Sequence, residues 1–275
     1  MIRLVALDLD GTLMGADLAI SHRVRAAIAA AVQRGVRVTL ATGRMFSATA
    51  PFARDLHLDA PLICYQGGWI QGPATEVLHR ITLPDDLAGQ AIALGRERGW
   101  HTILYADGRL FVDGLRYPVD YYEKFLGPDP IEAPELIRVL DTCRPDKVLY
   151  VAAPEEIPDI SGSLNAHFGT SADIVQSHRN FIEVVPKGVN KGQALAWLAA
   201  REGVSPDAVL AIGDQQNDVA MLTWAGNGVA MGNAVDEVKD VADWVAPPLE
   251  ADGAAVALER FILAEDRRPP IEPTA

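Results

Sequence analysis

Short apolar runs alternate with helical patterns at both ends of this 275-residue chain, and this alternation constrains the fold more than any other feature. Near the N-terminus, apolar runs at 4–7, 36–41 and 62–65 are separated by helical patterns near 21–34 and 47–56. Strands that alternate with helices form a parallel sheet with right-handed crossovers. The sequence therefore predicts an α/β fold, a Rossmann-like doubly wound parallel sheet.

The alternation stops near Pro84 and resumes after Lys187. Between these points, hairpin and helix patterns mix without regular alternation, which is typical of an α+β unit. We therefore predict a discontinuous core domain over residues 1–83 and 186–275, with an α+β domain inserted over residues 84–185. An insert of roughly 100 residues is long enough to be a domain of its own.

Two aspartates, Asp8 and Asp10, end the first apolar run. At a spacing of two on an extended chain, both carboxylates point to one face. At about 4 Å separation and an effective dielectric of about 20, two such charges repel by about 4 kcal/mol. Either the two side chains diverge into solvent, or something positive lies beside them.

Other polar residues follow predicted core strands or begin a helix, namely Thr42, Lys191, and Asp214 with Asp218. In open α/β sheets, ligands bind outside the carboxyl ends of the strands, so the topology brings these residues to one edge. Carboxylates such as those of Asp8, Asp10 and Asp214 suit Mg²⁺. The ammonium of Lys191 suits a phosphate, and the amides of glycine-containing turns can point at an anion.

A carboxylate beside a metal and a lysine can attack a phosphoryl group, because the cations remove the repulsion between the two anions. The product is a covalent aspartyl-phosphate. The second carboxylate, two residues on, can protonate the leaving oxygen and later activate water. A cation and a phosphate that share the site would explain why Asp8 and Asp10 can lie so close together.

Four segments, in this order, resemble the motifs of the haloacid dehalogenase-like phosphatase superfamily: DLDGT at 8–12, ATGR at 41–44, KGVNKGQAL at 187–195 and GDQQNDVAML at 213–222. Together with the insert between the second and third motifs, they make the chain similar to the Cof-type subgroup. In that subgroup an α+β cap covers the active site, so the resemblance implies that residues 84–185 are a cap domain.

The resemblance implies a role for each acidic residue that matches a motif. Asp8 would be the nucleophile and Asp10 the general acid and base. Asp8, the backbone carbonyl of Asp10, and Asp214 would hold Mg²⁺. Asp218 would support the metal or Lys191 without binding the metal directly.

The same resemblance implies a set of phosphate-binding residues, namely Thr42, Gly43, Lys191 and Asn217. Arg44 and Arg179 are candidates for the rim of the substrate site. The chain departs from the family pattern at Gln215 and Gln66, where asparagine is frequent.

The bulk composition excludes several classes of partner. The net charge of −13 and the lack of a basic run argue against nucleic acid. No apolar run approaches the ~20 residues of a membrane span, and the N-terminus does not resemble a signal peptide. Cys64 and Cys143 lack metal-ligand spacing and indicate a reducing compartment. We therefore expect a cytoplasmic protein without a membrane partner, and no sequence pattern predicts its oligomeric state.

Three functions are compatible with these residues. The first is a Mg²⁺-dependent phosphatase that hydrolyses a small phosphorylated metabolite, such as a sugar phosphate. The second is a phosphomutase or phosphotransferase, for example a phosphomannomutase-like enzyme, in which the aspartyl-phosphate passes to an acceptor hydroxyl. The third, a non-catalytic binding protein with the same fold, has little support because every catalytic-type side chain is present.

Overall fold

The computed structural model describes residues 1–72 and 76–264. Within these residues the strands are β1 (Leu4–Leu7), β2 (Arg37–Leu40), β3 (Leu62–Cys64), β4 (Trp69–Gln71), β5 (Val77–Arg80), β6 (His101–Ala106), β7 (Arg109–Val112), β8 (Ile131–Glu132), β9 (Pro145–Val151), β10 (Ala172–His178), β11 (Phe181–Pro186), β12 (Val209–Gly213), β13 (Asn227–Ala230) and β14 (Trp244–Val245). The α-helices are α1 (His22–Gln33), α2 (Phe46–Asp55), α3 (Asp85–Arg98), α4 (Val119–Phe125), α5 (Ile157–Phe168), α6 (Lys191–Arg201), α7 (Val219–Trp224), α8 (Asp236–Val241) and α9 (Gly253–Leu258).

A parallel sheet of five strands, in the order β14-β13-β12-β1-β2, forms the core. Leu4 of β1 pairs with Val209 of β12 on one side and with Arg37 of β2 on the other. A parallel bridge between Ala41 and Ile63 continues the sheet towards β3. Helices α1 and α9 pack on each other, as do α6, α7 and α8, which gives the sheet its flanking helices. The predicted α/β fold with a parallel core sheet is confirmed.

The core elements form where their sequences predict them. All four residues of β1 are buried, as expected for a central parallel strand that is covered on both faces. In α1 the Ser21 side chain accepts a hydrogen bond from the Val24 amide and caps the helix. The buried residues of this helix, Val24, Ala27, Ile28 and Ala31, follow the spacing of a single apolar face.

A second sheet of six strands has the order β10-β11-β9-β6-β7-β8 and is antiparallel except between β7 and β8. Alternate residues along each of its strands point to opposite faces of the sheet. Leu104 and Tyr150 belong to an apolar cluster packed between this sheet and helices α3 and α5. Ile103 and Leu149 belong to the large cluster that also contains the core sheet. One face of the second sheet therefore lies over the core.

Three elements differ from the sequence-based expectation. Strands β4 and β5 form an unpredicted antiparallel extension of β3, because a three-residue strand beside glycines carries too little alternation to be recognised. The sequence pattern near 134–140 predicts a helix, but the structure has a 3₁₀ segment, Leu136–Asp141, whose turns close with i to i+3 hydrogen bonds such as that from the Arg138 amide to the Glu135 carbonyl. The last helix becomes a π-helix over Glu259–Leu263.

The strands of the second sheet all lie between His101 and Pro186, within or next to the predicted insert. The boundaries at 83/84 and 185/186 stay predictions. The end of the predicted core segment, residues 265–275, lies outside the described residues, as do residues 73–75. None of the helices in the described ranges combines the length and the apolar composition that crossing a bilayer requires.

Candidate active site

A cavity of about 500 Å³ lies where loops of the core sheet meet the second sheet. The core contributes loops that follow the carboxyl ends of β1, β2 and β12, and these supply Asp8, Asp10, Thr42, Gly43, Arg44, Asp214 and Asn217. The second sheet contributes Tyr105, Lys147, Leu149, Ser177, His178, Arg179, Phe181 and Glu183. The cavity thus lies at the edge where open α/β sheets bind ligands.

Asp8 is buried at the end of β1 and pairs with Lys191 at the start of α6. Lys191 Nζ donates to Asp8 Oδ1 and to Asp218 Oδ1, each at 2.6 Å, and its side chain is 1 % exposed. Burial alone would lower the pKa of Lys191, but the two carboxylates raise it, so the side chain is an ammonium ion. In the described part of the chain, only Oδ1 of Asp8 is hydrogen-bonded, which leaves Oδ2 for a ligand.

Asp214 and Asp218 are fixed by the turn that follows β12. Asp218 Oδ2 accepts hydrogen bonds from the amides of Asp214 at 2.9 Å and Gln215 at 3.0 Å. Thr12 Oγ1 donates to Asp214 Oδ1 at 2.8 Å. Burial, and then the charge of Asp218, raises the pKa of Asp214 to about 6. Burial also raises the pKa of Asp8, against the opposing effect of Lys191.

The acidic cluster has the chemistry and the charge of a site for a divalent cation. Carboxylate oxygens of Asp8, Asp214 and Asp218 lie within 4.8 Å of one another, and all three residues are buried. With all three carboxylates ionised, the single ammonium of Lys191 would leave two negative charges uncompensated, which is costly without a cation. Asp218 accepts three hydrogen bonds, from Lys191 and two amides. Asp214 accepts two, from Thr12 and the Gln215 side chain, and Asp8 accepts one, so Asp8 and Asp214 keep more lone pairs for a metal. Hard carboxylate oxygens of this kind fit Mg²⁺.

Asp10 is paired with Arg44 and not with Lys191, the partner of Asp8. Arg44 binds its carboxylate bidentately, with Nε to Oδ2 and Nη2 to Oδ1 both at 2.7 Å. Asp10 is partly exposed, with 42 % of its side chain accessible, whereas the Arg44 side chain is 8 % exposed. Each aspartate at the end of β1 therefore has its own basic partner, and the two charges are compensated separately.

The predicted phosphate-binding residues surround the same space. Thr42 is buried, and its Oγ1 accepts a hydrogen bond from the Arg44 amide at 3.1 Å. Asn217 lines the cavity and donates from Nδ2 to Gln66 Oε1 at 2.9 Å. Arg179 lines the cavity from the exposed turn between β10 and β11. The structure thus brings every predicted site residue to the cavity or, for Lys191 and Asp218, to the layer directly behind Asp8.

Two charged residues of the second sheet, Lys147 and Glu183, also line the cavity and were not predicted from the sequence. They form a buried ion pair, with Nζ 2.7 Å from Oε2 and side chains 3 % and 1 % exposed. Lys147 Nζ also donates to the Gly43 carbonyl at 2.9 Å, and its ammonium lies 4.7 Å from the centre of the Tyr105 ring. The available signal was one charge of each sign inside the apolar runs KVLYV and FIEVV.

Comparison with known proteins agrees with this geometry. Residues 5–258 match the family described as haloacid dehalogenase-like hydrolase. The chain belongs to this family. The Cof-type resemblance is confirmed, and this member is a phosphatase enzyme.

Individual relatives match over nearly their full length. The putative phosphatase YxeH of Bacillus subtilis is 30 % identical over 275 residues, which cover 96 % of this phosphatase and 100 % of the relative. The 5-amino-6-(5-phospho-D-ribitylamino)uracil phosphatase YcsE of the same species is 30 % identical, with coverages of 95 % and 96 %. A crystal structure of a haloacid dehalogenase-like hydrolase from Bacteroides thetaiotaomicron, 28 % identical, covers 94 % of this chain and 99 % of its own with a TM-score of 0.83.

Proposed function

We propose that this phosphatase depends on Mg²⁺ and hydrolyses a small phosphorylated metabolite through an aspartyl-phosphate on Asp8. One observation carries the proposal. Asp8 is buried in a cavity wall, Lys191 binds its Oδ1, and no described residue donates to its Oδ2, while a carboxylate oxygen of Asp8 lies within 4.8 Å of one of Asp214. A carboxylate held in this way has one oxygen oriented by a cation and one oxygen available as a nucleophile.

In the first proposed step, Asp8 Oδ2 forms a bond to phosphorus while the bond from phosphorus to the ester oxygen breaks. Protonated Asp10 donates its proton to that leaving oxygen. In the second step Asp10 takes a proton from water, the water oxygen bonds to phosphorus, and the bond to Asp8 breaks to release inorganic phosphate. Because Arg44 binds both oxygens of Asp10, this pairing must loosen for the proton transfers.

Mg²⁺ would be held by Asp8 and Asp214, together with the Asp10 carbonyl that the family resemblance implies. When bound, it neutralises negative charge on the phosphoryl oxygens and on the carboxylates. The polar groups of Thr42, Gly43 and Asn217 would bind the remaining phosphoryl oxygens. Lys191 would add the third N–H of its ammonium, beyond the two that donate to Asp8 and Asp218. Residues of the second sheet form the opposite wall of the cavity.

The walls beyond the phosphoryl site indicate the class of leaving group. Tyr105, Phe125, Leu126, Leu149 and Phe181 line this part of the cavity. Apolar and aromatic walls favour a phosphorylated metabolite with an apolar or planar portion over a fully polar sugar phosphate. YcsE, whose name specifies a phosphorylated uracil derivative, supports this choice by similarity.

A panel of phosphate esters, assayed with Mg²⁺ for release of inorganic phosphate, tests the proposal. We expect release from small esters by the wild type, and loss of at least 10³-fold in Asp8→Asn because the nucleophile is removed. The matched control is Asp240→Asn, the same change at an exposed residue of α8. Full activity of Asp8→Asn would refute the nucleophile assignment, and phosphate transfer that requires an added acceptor alcohol would indicate a phosphotransferase.

We also propose the cytoplasm as the compartment of the enzyme. Cys64 and Cys143 are both buried and unpaired, which is the usual state of cysteines in a reducing environment. Fractionation of the native cells, with the protein detected by antibody, tests this; recovery with the periplasmic or extracellular fraction would contradict it.

A further inference from the structure

The turn after β3 holds a buried side chain in an unfavourable backbone conformation. Gln66 is 1 % exposed, and both it and Tyr65 have positive φ angles, 60° and 51°. Residues with a side chain rarely adopt this region, and such strain is frequent at functional sites. The strained turn places the Gln66 amide against Gly43, where even an added Cβ would overlap Gln66 Nε2.

The Gln66 amide joins the second sheet to the phosphoryl site. Gln66 Nε2 donates to Glu183 Oε1 at 3.1 Å, and Gln66 Oε1 accepts from Asn217 Nδ2 at 2.9 Å. Glu183 is held on its other oxygen by Lys147, and Ser177 Oγ also donates to Oε1. Glu183, Gln66 and Asn217 therefore form a continuous series of hydrogen bonds, which we name the amide relay.

The charge of Glu183 fixes the direction of every bond in the amide relay. A carboxylate paired with an ammonium only accepts hydrogen bonds, so the group that faces it must be the NH₂ of Gln66. The carbonyl of Gln66 then faces Asn217, and only the NH₂ of Asn217 can donate to it. This leaves the second N–H of Asn217 without an acceptor among the described residues, beside the cavity that contains Asp8.

We propose that Gln66 and Glu183 are positioning residues that orient the Asn217 amide so that its NH₂ group faces a phosphoryl oxygen. The inference rests on the proposed function, because it assumes that a phosphoryl group occupies the cavity. It goes beyond that function in one respect. Glu183 and its partner Lys147 lie on the second sheet, so the orientation of a phosphate-binding group on the core depends on the sheet that covers it.

Variants of Gln66 test the amide relay directly. In Gln66→Glu the new carboxylate cannot donate to Glu183, and in Gln66→Asn the amide is one methylene too short to span both partners. We expect each to lower kcat/KM by about 10- to 100-fold, the value of one hydrogen bond to a charged group. Gln176→Glu, the same change at an exposed residue of β10, is the matched control and should stay within about twofold of the wild type.

A double-mutant cycle separates positioning from a general structural role. If Gln66 acts through Asn217, then Asn217→Ala and Asn217→Ala/Gln66→Asn should have the same kcat/KM within about twofold. If the fold-losses of kcat/KM in the two single variants multiply in the double variant, the proposal is overturned. A further variant, Gln66→Glu/Glu183→Gln, exchanges the carboxylate and the amide between the two positions. The NH₂ group at position 183 can then donate to the carboxylate at position 66, which can still accept from Asn217. We expect it to recover most of the activity lost in Gln66→Glu, and the lack of any recovery would count against the relay.

Inorganic phosphate binding provides a readout that does not depend on turnover. Calorimetric titration of the folded proteins should show about tenfold weaker phosphate binding in Gln66→Asn than in the wild type or Gln176→Glu. Equal affinities would refute the relay even in an active phosphatase. If Gln66→Asn binds phosphate more weakly than the wild type, and the wild type hydrolyses no ester, the result would instead support the relay and refute the proposed function.

Discussion

Arg44 binds both carboxylate oxygens of Asp10 at 2.7 Å and, from the same guanidinium, donates to the Lys124 carbonyl in α4 at 3.1 Å. The candidate general acid is thus linked to a helix of the predicted insert through one side chain. Arg44 was predicted only as a possible rim residue. The structure gives it a specific contact, and its role in the reaction stays a prediction.

Replacing Arg44 by lysine should separate the effect of charge from the effect of geometry. Lysine keeps the positive charge but cannot form the planar two-point contact with Asp10. Although the pairing must loosen during each proton transfer, we expect Arg44→Lys to lower kcat by about 10-fold or more in steady-state phosphatase assays, because Asp10 is no longer held in position between transfers and general acid–base catalysis contributes about 10²- to 10⁴-fold. Arg54→Lys, in the last turn of α2, is the control. A wild-type kcat in Arg44→Lys would show that the bidentate contact is not needed.

Mg²⁺ should stabilise the fold through Asp214. A ligand at 100 times its Kd adds about 2.7 kcal/mol to the free energy of unfolding, so Mg²⁺ should raise the melting temperature of the wild type. Asp214→Asn should lose most of this rise, because it removes one of the two available carboxylates. Thermal melts with Mg²⁺ or with EDTA measure this rise in the wild type and in Asp214→Asn, with Asp240→Asn as the control. An equal rise in Asp214→Asn would place the metal elsewhere.

Two glycines with similar positive φ angles should respond differently to replacement by alanine. Gly11 has a φ of 90°, and an added Cβ would overlap the Asp214 carboxylate. Gly35 has a φ of 78°, and nothing lies within 4 Å of an added Cβ. Gly35→Ala should cost about 1 kcal/mol of stability with unchanged activity. Gly11→Ala should add to this cost at least a 100-fold loss of kcat/KM, because Asp214 is displaced.

Chemical denaturation and phosphatase assays of the two alanine variants check this prediction. Equal activities in Gly11→Ala and Gly35→Ala would mean that the position of Asp214 has little effect on the reaction. A large loss of activity in Gly35→Ala would mean that backbone strain alone, far from the cavity, accounts for the effect.

Stability at acidic pH should depend on His101. Its ring is buried, with Nε2 at 2.8 Å from the Tyr122 hydroxyl. Burial, and then the charge of Arg116, lowers the pKa of His101 to about 4. As the pH falls below about 6.5, the unfolded chain takes up a proton before the folded one does. Stability present above pH 6.5 is therefore lost as the pH falls through about 4.

Urea denaturation of the wild type and of His101→Gln at pH 7.5 and pH 4.5 measures this loss. We expect the wild type to lose on the order of 2 kcal/mol more than His101→Gln over this interval. His22→Gln, at an exposed residue at the start of α1, should behave like the wild type. The same pH dependence in His101→Gln and in the wild type would contradict the prediction.

The sequence predicted the elements that carry strong local signals. The sequence after Pro84 predicts a helix over Asp85–Arg98, and the structure has α3 with these bounds, because the helix begins after Pro84 and ends at Gly99 in a left-handed conformation. The rule that ligands bind at the carboxyl ends of parallel strands brought Asp8 and Asp214 together correctly. Both predictions needed only the local pattern and the strand order.

The parts that were missed depend on which residues meet in three dimensions. Lys147 and Glu183 are recognisable in the sequence as charges inside apolar strands, but their pairing follows from the register of β9 against β11, where Glu183 is opposite Leu149. The link from Gln66 to Glu183 joins residues 117 positions apart. The partition of Asp8 and Asp10 between Lys191 and Arg44 is likewise a tertiary contact that no local pattern encodes.

The hydrogen bond between Thr12 and Asp214 joins residues 202 positions apart, and β1 lies next to β12 at the centre of the core sheet. At about 5 to 20 residues per second on the ribosome, β12 is therefore synthesised roughly ten seconds or more after β1. The β6–β7 hairpin needs no such partner and can form while synthesis continues. Until β12 emerges, one edge of β1 is open to other chains, so newly made copies of this enzyme face their greatest risk of aggregation before synthesis is complete.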